Sequence, residues 1–420
     1  MYINHSEIHT DLLVVGAGAA GFFAAIHAKT AKPNKQVLII EKSNKVLAKV
    51  LVSGGGRCNV THNQTDLGEI LECYPRGRAL LKWTLRKWGV TNTIRWFERH
   101  GVPLKTEDDG RMFPTTDNSE TIASCLTEEA TRLGVSWKLG MGMKSFEPLY
   151  PKGFKVLTDK GDTIITQSLL IACGGFPKAQ QFEFITRHGI TIVEPVPSLF
   201  TFNIPNDALR TFMGVSVPWG RIKVIGMDEG PEKGWFSGPI LITHWGLSGP
   251  AILKASAFLA RELAKTDYQA SVLVDWTGMG EEKARSLFDA DLLMNAAKKV
   301  DNINPFQLPK RLWEYLLQLS AIDGETRVRD MAKSAKNKLL ENCIRCAYNM
   351  EGKTTFKEEF VTAGGVATTA VDKDSLECKQ LPGLFFAGEI LDIDGITGGF
   401  NFQAAWSTGY LAGVRAIEKA

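Results

Sequence analysis

The sequence predicts an α/β protein of Rossmann-like type whose first domain is completed by the end of the chain, and three observations lead there. Leu12 to Val15 is a short apolar run that breaks at Gly16, Ala19 to Lys29 reads as a small-residue apolar helix, and Val37 to Ile40 supplies the next strand. Strand, glycine turn, helix and strand within about 30 residues form a βαβ unit, which requires parallel pairing and a right-handed crossover. From about Val196 to Asp275 the pattern changes to short β-rich runs divided by Gly and Pro, and residues 281–349 become rich in Lys, Ala and Leu with little Gly. After Phe360 the chain returns to strand and glycine chemistry. The expected division is therefore 1–195 with 351–420 as the first domain, 196–277 as an inserted β-rich domain and 278–350 as a helical subdomain.

Each element has a local reason. Leu80 to His100 has helical patterning, Asp117 to Leu133 reads as another helix, and Ser168 to Ala172 is a buried strand ending at Gly174-Gly175. Strands in the insert are expected at Leu199 to Ile204, Gly220 to Ile225, Pro239 to Thr243 and Ser271 to Asp275. The closing segment contributes a strand, Leu384 to Ala387, and a helix, Asn401 to Glu418.

Composition bounds the class. A chain of 420 residues, 44% hydrophobic and 23% charged, has ample length for a sizeable core. Its mean hydropathy of −0.08 argues against an integral membrane protein. Lys and Arg number 49 against 46 Asp and Glu, a net +3, so any basic surface must be local. Seven cysteines without regular disulfide spacing fit thiols in a reducing cytosol, and a cytoplasmic location is expected. The uncharged stretch Leu12 to Ala28 is interrupted by Gly16, Gly18 and Gly21 and lacks a preceding Lys or Arg, so it reads as neither a signal peptide nor a membrane span. The oligomeric state is not encoded legibly.

Gly16-Ala17-Gly18-Ala19-Ala20-Gly21 fits the dinucleotide fingerprint. The first Gly permits the tight turn, the second lets the backbone approach a pyrophosphate, and the third lets helix and strand pack closely. The amino end of the helix then faces the phosphates. Glu41 lies twenty residues beyond Gly21 at the end of VLIIE, where a carboxylate binds ribose hydroxyls.

The fingerprint does not separate FAD from a nicotinamide, but the C-terminal segment LPGLFFAGEILDIDGITGGFNFQAAWSTGYLAG does. Its apolar strand ends at Gly388-Glu389, where a carboxylate can accept ribitol hydroxyl hydrogen bonds. Gly398-Gly399 then opens a helix whose unpaired amides suit the electron-rich pyrimidine edge of an isoalloxazine. Between these elements, Ser53-Gly54-Gly55-Gly56-Arg57-Cys58-Asn59 lets backbone amides approach a flat or anionic ligand closely.

With SGGGRCN, THWGLSGPAIL (Thr243 to Leu253), VTAGGV (Val361 to Val366) and AGEILDIDGITGGFNFQAAW (Ala387 to Trp406), the chain resembles, over nearly its whole length, the bacterial HI0933-like family of FAD-dependent oxidoreductases, members of which are labelled aminoacetone-oxidase-like or flavin reductases. The resemblance implies an FAD domain built from both chain ends, carrying an inserted β-barrel-like domain and a small helical domain. It also implies that Gly16, Gly18, Gly21, Glu41, Lys42, the Ser53 to Asn59 loop, Gly388, Glu389, Gly398, Gly399, Phe400, Asn401 and Phe402 line FAD, and the neighbouring Ala19, Ala20, Lys49 and Gly174 complete the expected set. Two stretches depart from the family: Leu47-Ala48-Lys49 stands where Gly-Arg-Lys is usual, and Ala172-Cys173-Gly174-Gly175 where Ala-Thr-Gly-Gly is.

No second strand-GxGxxG-helix unit is visible, because Gly140 and Gly142 lack a third glycine and an obvious helix. NAD(P)H is therefore expected to dock transiently on the flavin face and leave before the oxidised substrate arrives, giving ping-pong kinetics.

Two side chains are candidates for the chemistry. Cys58 follows Arg57 in the glycine loop, where a cation and amides would lower a thiol pKa, and it would protonate carbon as hydride arrives at an activated C=C bond. The alternative is a packing thiol. His244, in Thr-His-Trp-Gly, is either a substrate ligand or proton donor, or a hydrogen-bonded structural histidine. Cys343-Ile344-Arg345-Cys346 is a CxxC without the βαβ or second CxxC that redox or zinc chemistry needs. No HExxH, EF-hand loop or P-loop is present, and no metal is expected.

Tyr74 to His100 holds Arg76, Arg78, Lys82, Arg86, Lys87, Arg95 and Arg99 against only Glu98. Arg78, Lys82 and Arg86 form one helical stripe, with Trp83 and Trp96 interleaved, and Lys310, Arg311, Arg327, Arg329, Lys333 and Lys336 would extend it. Such a surface binds RNA phosphate and stacks bases, or is simply a solvated basic face. The resulting expectation is an enzyme that takes reducing equivalents from NAD(P)H and reduces an activated C=C bond. Its substrate is either uridine in ribosomal RNA, giving dihydrouridine as the resemblance implies for some relatives, or a small unsaturated compound. The competing readings are a flavin-dependent oxidase of a small amine such as aminoacetone, and a non-catalytic FAD-containing binding or redox-sensing module.

Overall fold

The computed structural model describes residues 7–354 and 361–420, so positions 355–360 of the expected closing segment lie outside the described residues. The chain divides into two compact units, Met1–Pro197 with Lys357–Ala420, and Ser198–Phe356.

In the first unit, β1 (Glu7–Val15), α1 (Ala19–Ala31) and β2 (Val37–Glu41) form the expected βαβ unit, with Leu12 opposite Val37 in a parallel ladder. Leu12, Leu13 and Val14 are wholly buried, which is why this strand reads as a continuous apolar run. After α2 (Ala48–Gly56), a small antiparallel sheet of β3 (Thr61–His62), β4 (Leu104–Thr106) and β5 (Arg111–Pro114) encloses α3 (Leu67–Glu72), α4 (Arg78–Lys87) and α5 (Val90–Arg99) in sequence. The single helix expected over Leu80 to His100 is thus two. Gly89, extended at φ −96° and ψ −174°, breaks it.

α6 (Ser119–Arg132) and β6 (Ser136–Leu139) follow, then β7 (Met143–Pro148), β8 (Phe154–Thr158) and β9 (Thr163–Ile171). β9 runs parallel to β1 from Glu7–Thr163 to Val15–Ile171, and the main sheet is ordered β6-β2-β1-β9-β8-β7. The short helix α7 (Glu183–Thr186) leads to β10 (Ile192–Ser198).

The second unit holds an antiparallel sheet of β11 (Thr201–Asn203), β12 (Ser216–Val224), β13 (Trp235–Ile242), β14 (Gly246–Ser248), then, after α8 (Pro250–Phe258) and α9 (Ala260–Lys265), β15 (Gln269–Asp275). Helices α10 (Glu281–Met294), α11 (Lys310–Leu319) and α12 (Lys333–Ile344) precede β16 (Cys346–Glu351) and β17 (Lys353–Thr354). The sheet order β16-β15-β12-β13-β14-β11-β17 ends on two strands separated only by Gly352, whose carbonyl accepts from Asn203 N at 3.2 Å. The sheet therefore curls back on itself, in a barrel-like manner.

This unit corrects the expected boundary at 277/278. Phe236, Ile240 and Val274 share one core with Phe288, Trp313, Leu316 and Leu339, and β16 adds a strand from within the segment expected to be helical. The helices pack on the sheet rather than forming a core of their own.

Back in the first unit, β18 (Val361–Val366) pairs with β10, and β19 (Leu384–Phe386) pairs in parallel with the last residues of β9, Phe386 opposite Ile171. α13 (Phe400–Lys419) then lies against α1. A Cβ at Gly409 would come within 2.7 Å of the Ala20 carbonyl oxygen, and one at Gly413 would collide with that of Ala24. Two glycines one turn apart thus let the helices touch backbone to backbone. Among the described residues, no helix is long and apolar enough to cross a membrane.

Candidate cofactor and active site

The carboxyl ends of β1, β9 and β19 lie side by side, the edge of an open α/β sheet at which ligands bind. At this edge the three fingerprint glycines divide into two kinds. A Cβ on Gly16, held at φ +112°, would lie 2.5 Å from the Ala172 carbonyl oxygen, and one on Gly21 would collide with the Gly16 carbonyl. These two serve packing. Gly18 is different, since a Cβ there would meet nothing within 4 Å. Its missing side chain leaves room on the open side of the turn. α1 has no side-chain N-cap and no acidic residue in its first turn, so its leading amides stay open to an anion.

Glu41 Oε2 accepts from Ala17 N at 3.0 Å and Oε1 from Ser43 N at 2.9 Å. The carboxylate braces the glycine turn and keeps lone pairs for ribose hydroxyls. Lys42 Nζ lies 5.7 Å from the centre of the Phe176 ring. Ala19 and Ala20 open α1, and the Ala20 methyl would be 2.8 Å from a Cβ on Gly388.

In the Ser53–Asn59 loop the helical backbone of α2 gives way at Ser53 (ψ 149°), and Gly54 and Gly55 take φ +59° and +67°. The Cys58 N–H donates to the Ser53 carbonyl at 3.0 Å, closing the turn. A Cβ on Gly55 or Gly56 would meet nothing within 4 Å, whereas one on Gly54 would press on Phe113 at 3.0 Å. The loop is anchored at one end and open in the middle.

Its next two residues differ from expectation. Arg57 lies 4.0 Å over the Phe113 ring, donates to Glu107 Oε1 at 2.6 Å and sits 3.6 Å from Asp117 Oδ1. Its charge is answered by carboxylates. Cys58, at φ +60°, is wholly buried, and burial pushes its pKa up to about 12. The thiol pKa is thus raised by desolvation where a lowered one was expected, and complete burial fits the alternative of a packing thiol. Asn59, in the amide orientation that satisfies its neighbours, donates to Thr61 O at 2.9 Å and accepts from Gly399 N at 3.0 Å.

That bond ties the loop to the head of α13. Gly398 and Gly399 take φ +122° and +92°, and a Cβ on Gly399 would lie 2.5 Å from Thr61 backbone atoms. No side chain caps α13 and no acid occupies its first turn. The Phe400 carbonyl accepts from Tyr74 Oη at 2.8 Å, Asn401 bonds both N and O of Gly395 at 2.9 Å, and Phe402 stacks on Trp406 at 5.8 Å.

Gly388 (φ +74°) donates to Thr408 Oγ1 at 2.9 Å. Glu389 Oε2 accepts from Lys49 Nζ at 2.6 Å and Oε1 from Thr362 N at 3.1 Å. Gly174 is open except for Glu389 Oε2, 3.9 Å from where its Cβ would be. Uncapped helix heads, open glycines and braced carboxylates fit a dinucleotide carrying a flat, electron-poor ring. When bound, FAD supplies hydride and single-electron chemistry that side chains lack.

Some neighbours escaped the sequence reading. His62 stacks on Phe400 at 4.7 Å, its Nε2 bonds Asp109 O at 3.0 Å, and burial lowers its pKa. Thr61 Oγ1 donates to the buried Gln403 Oε1 at 2.7 Å. Thr61 and His62 follow closely on the SGGGRCN motif, and that proximity was the signal that could have found them. His244 belongs to the other unit, exposed on the turn between β13 and β14, 4.0 Å from the Trp245 ring, with its carbonyl accepting from Arg210 Nε at 2.6 Å.

The basic stripe is only partly as expected. Arg78 donates to Glu72 Oε2 at 3.0 Å and to the Tyr74 carbonyl at 2.5 Å, so its charge is answered. Trp96 is buried, 5.0 Å from Phe23 and stacked 4.1 Å from His100, and cannot stack a base. Lys310, Arg311, Arg327, Arg329, Lys333 and Lys336 belong to the second unit.

The chain is similar to known proteins over nearly its whole length. The chain is 28% identical over 416 residues to the 3-dehydro-bile acid delta(4,6)-reductase of Clostridium scindens, covering 97% of this chain and 98% of that protein. It is 28% identical over 411 residues to the ribosomal RNA dihydrouridine synthase of Escherichia coli, covering 95% and 96%. Among solved structures, the 3-ketosteroid-delta4-(5alpha)-dehydrogenase from Rhodococcus jostii matches with a TM-score of 0.52 at 15% identity, covering 99% of this chain and 98% of that one. An open flavocytochrome c3 fumarate reductase matches with a TM-score of 0.51 at 17% identity, covering 98% and 78%. These two establish a shared fold. The HI0933-like protein Rossmann domain matches residues 10–415, and the chain belongs to that family of FAD-dependent oxidoreductases.

Proposed function

We propose that this enzyme takes electrons from NAD(P)H and reduces a C=C bond conjugated to a carbonyl, with uridine in ribosomal RNA as its substrate. The observation that carries the reading is chemical. The two relatives, a bile acid delta(4,6)-reductase and a dihydrouridine synthase, each cover at least 95% of this chain and are named for saturating a ring double bond. In a uracil ring that bond is polarised by the neighbouring carbonyl, so hydride adds at one carbon and a proton at the other.

The chain's own part is to hold and orient. Amides at the head of α13 favour negative charge on whatever ring edge they face. Glu41 and Glu389 accept hydroxyl donors, and Cys58, wholly buried, is given no part in the proton transfer. The fingerprint occurs once, so NAD(P)H docks, delivers hydride and leaves.

The test is anaerobic reduction of the flavin with NADPH or NADH, followed by mixing with unmodified ribosomal RNA, a 3-oxo-Δ4 steroid, or oxygen. Fast flavin reoxidation by RNA, with loss of one dihydrouridine from the ribosomal RNA of a deletion strain, is the expected result. Preference for the steroid favours the small-molecule substrate suggested by the bile acid relative. Reoxidation by oxygen alone returns the oxidase reading, and flavin without turnover returns the non-catalytic one.

A further inference from the structure

α4 carries the exposed Lys82, Arg86 and Lys87 close in sequence to the half-buried Trp83. Lys373, from the segment before β19, places its Nζ 3.8 Å from the Trp83 ring centre, and the Arg86 guanidinium lies 5.5 Å from it. Arg86 and Lys87 are three and four residues beyond Trp83, one helical turn, Lys82 is four residues before Arg86, and Lys373 reaches the same Trp83 ring from outside the helix. Among the described residues none of these four makes an ion pair within 4.0 Å, whereas Arg76, Arg78, Lys105, Arg111 and Arg132 in the same unit all do. The nearest acids in sequence, Asp372 and Asp374, flank Lys373, and Asp372 Oδ1 is already engaged by Asp374 N at 3.0 Å and Ser375 Oγ at 2.9 Å.

An indole differs from a carboxylate as a partner for a cation. Its face attracts and orders the charged group without cancelling the charge. Trp83 therefore holds Lys373 and Arg86 in place while leaving them positive, which suits a polyanion. We infer that Lys82, Arg86, Lys87 and Lys373, organised by Trp83, form a docking surface for the phosphate backbone of RNA. The inference rests on the RNA substrate proposed above, and it concerns phosphates only, since the Trp83 ring is already covered by a cation.

The experiment compares the FAD-loaded wild type with a Lys82→Ala, Arg86→Ala, Lys87→Ala, Lys373→Ala variant for binding a fluorescent oligo(U) RNA of about 20 nucleotides between about 50 and 200 mM KCl. The log Kd against log salt slope should fall by about 0.7 for each phosphate that the variant no longer neutralises, with affinity down at least about 10-fold at the lower salt. Flavin content and the rate of flavin reduction should stay as in the wild type. Trp83→Phe should retain most binding, and Trp83→Leu should weaken it by less than the quadruple variant does. Equal slopes and affinities in wild type and quadruple variant overturn the inference, as does a wild type that does not bind the RNA. Competition by polyglutamate as strong as by RNA of equal charge overturns it too, in favour of an acidic protein partner. The two proposals fail separately: a flattened salt slope with no dihydrouridine made keeps the surface and sinks the substrate, while dihydrouridine made with unchanged binding does the reverse.

Discussion

Lys49 and Glu389, 340 positions apart in sequence, meet at 2.6 Å, and the same carboxylate accepts from the Thr362 amide. An early helix and the carboxyl edge of the closing segment are thus held together at the cofactor edge. Glu41 plays the matching part at the end of β2.

Glu41→Ala removes the acceptor for Ala17 N and Ser43 N as well as any ribose hydroxyl. FAD affinity should fall by about 1 to 3 kcal/mol, from the cost of leaving donors unpaired. Titration of the apoprotein with FAD checks this, and an unchanged Kd removes Glu41 from the site.

Gly18→Ala and Gly21→Ala should separate binding from folding. An added methyl at Gly18 meets no protein atom and the residue has φ −89°, so apoprotein Tm should hold while FAD occupancy drops. The same methyl at Gly21 collides with the Gly16 carbonyl, so Tm should fall with or without FAD. Overpacking of this kind costs about 1 to 3 kcal/mol. Equal Tm values for the two apoproteins would contradict the division.

Cys58→Ala should leave both half-reactions within about 3-fold of wild type, well short of the roughly 100-fold loss that removal of a general acid brings. Stopped-flow traces of flavin reduction and reoxidation provide the check. Because the folded pKa is raised from 9.0 to about 12, the neutral thiol contributes stability present below pH 9 and lost as pH rises towards 12. Urea titrations of wild type against Cys58→Ala should show their gap shrinking over that interval.

His27 should govern acid lability. Packed between Phe23 and Trp88 at 4.6 and 4.7 Å, its pKa is lowered from 6.5 to about 3, chiefly by burial. The folded state binds fewer protons there than the unfolded one, so stability falls as pH drops from 6.5 towards 3. His27→Phe should be spared this loss, its advantage growing by up to about 1.4 kcal/mol per pH unit below the unfolded pKa. A gap that stays constant with pH would show that His27 does not titrate on unfolding.

Much of this was legible because the residues concerned have few alternative uses. Gly16, Gly18 and Gly21 with Glu41 announce a turn and its brace, and Gly398-Gly399 announces a helix head. The division of labour among the glycines was not legible, since it depends on Ala172 and the Gly16 carbonyl, which only the fold brings near. Exposure was the other hidden quantity. Cys58 and Trp96 read as chemistry and stacking until burial placed both in the core. For β16 the signal was present but averaged away: Cys346, Tyr348 and Met350 alternate strictly with exposed Ala347, Asn349 and Glu351, inside a window whose composition spoke of helix.

The glycine contact between α13 and α1 has a consequence for how the protein is made. Gly409 and Gly413 rest on Ala20 and Ala24, and the head of α13 supplies part of the cofactor edge. The ribosome delivers those partners several hundred residues after the fingerprint, while amino-terminal segments begin to fold as they emerge. A nascent chain thus carries a phosphate-ready turn with no helix behind it, and flavin capture is postponed until translation has passed the glycine pair. Cofactor loading is then expected to be a late event of synthesis, and a chain truncated before Gly409 should purify colourless where the full chain is yellow.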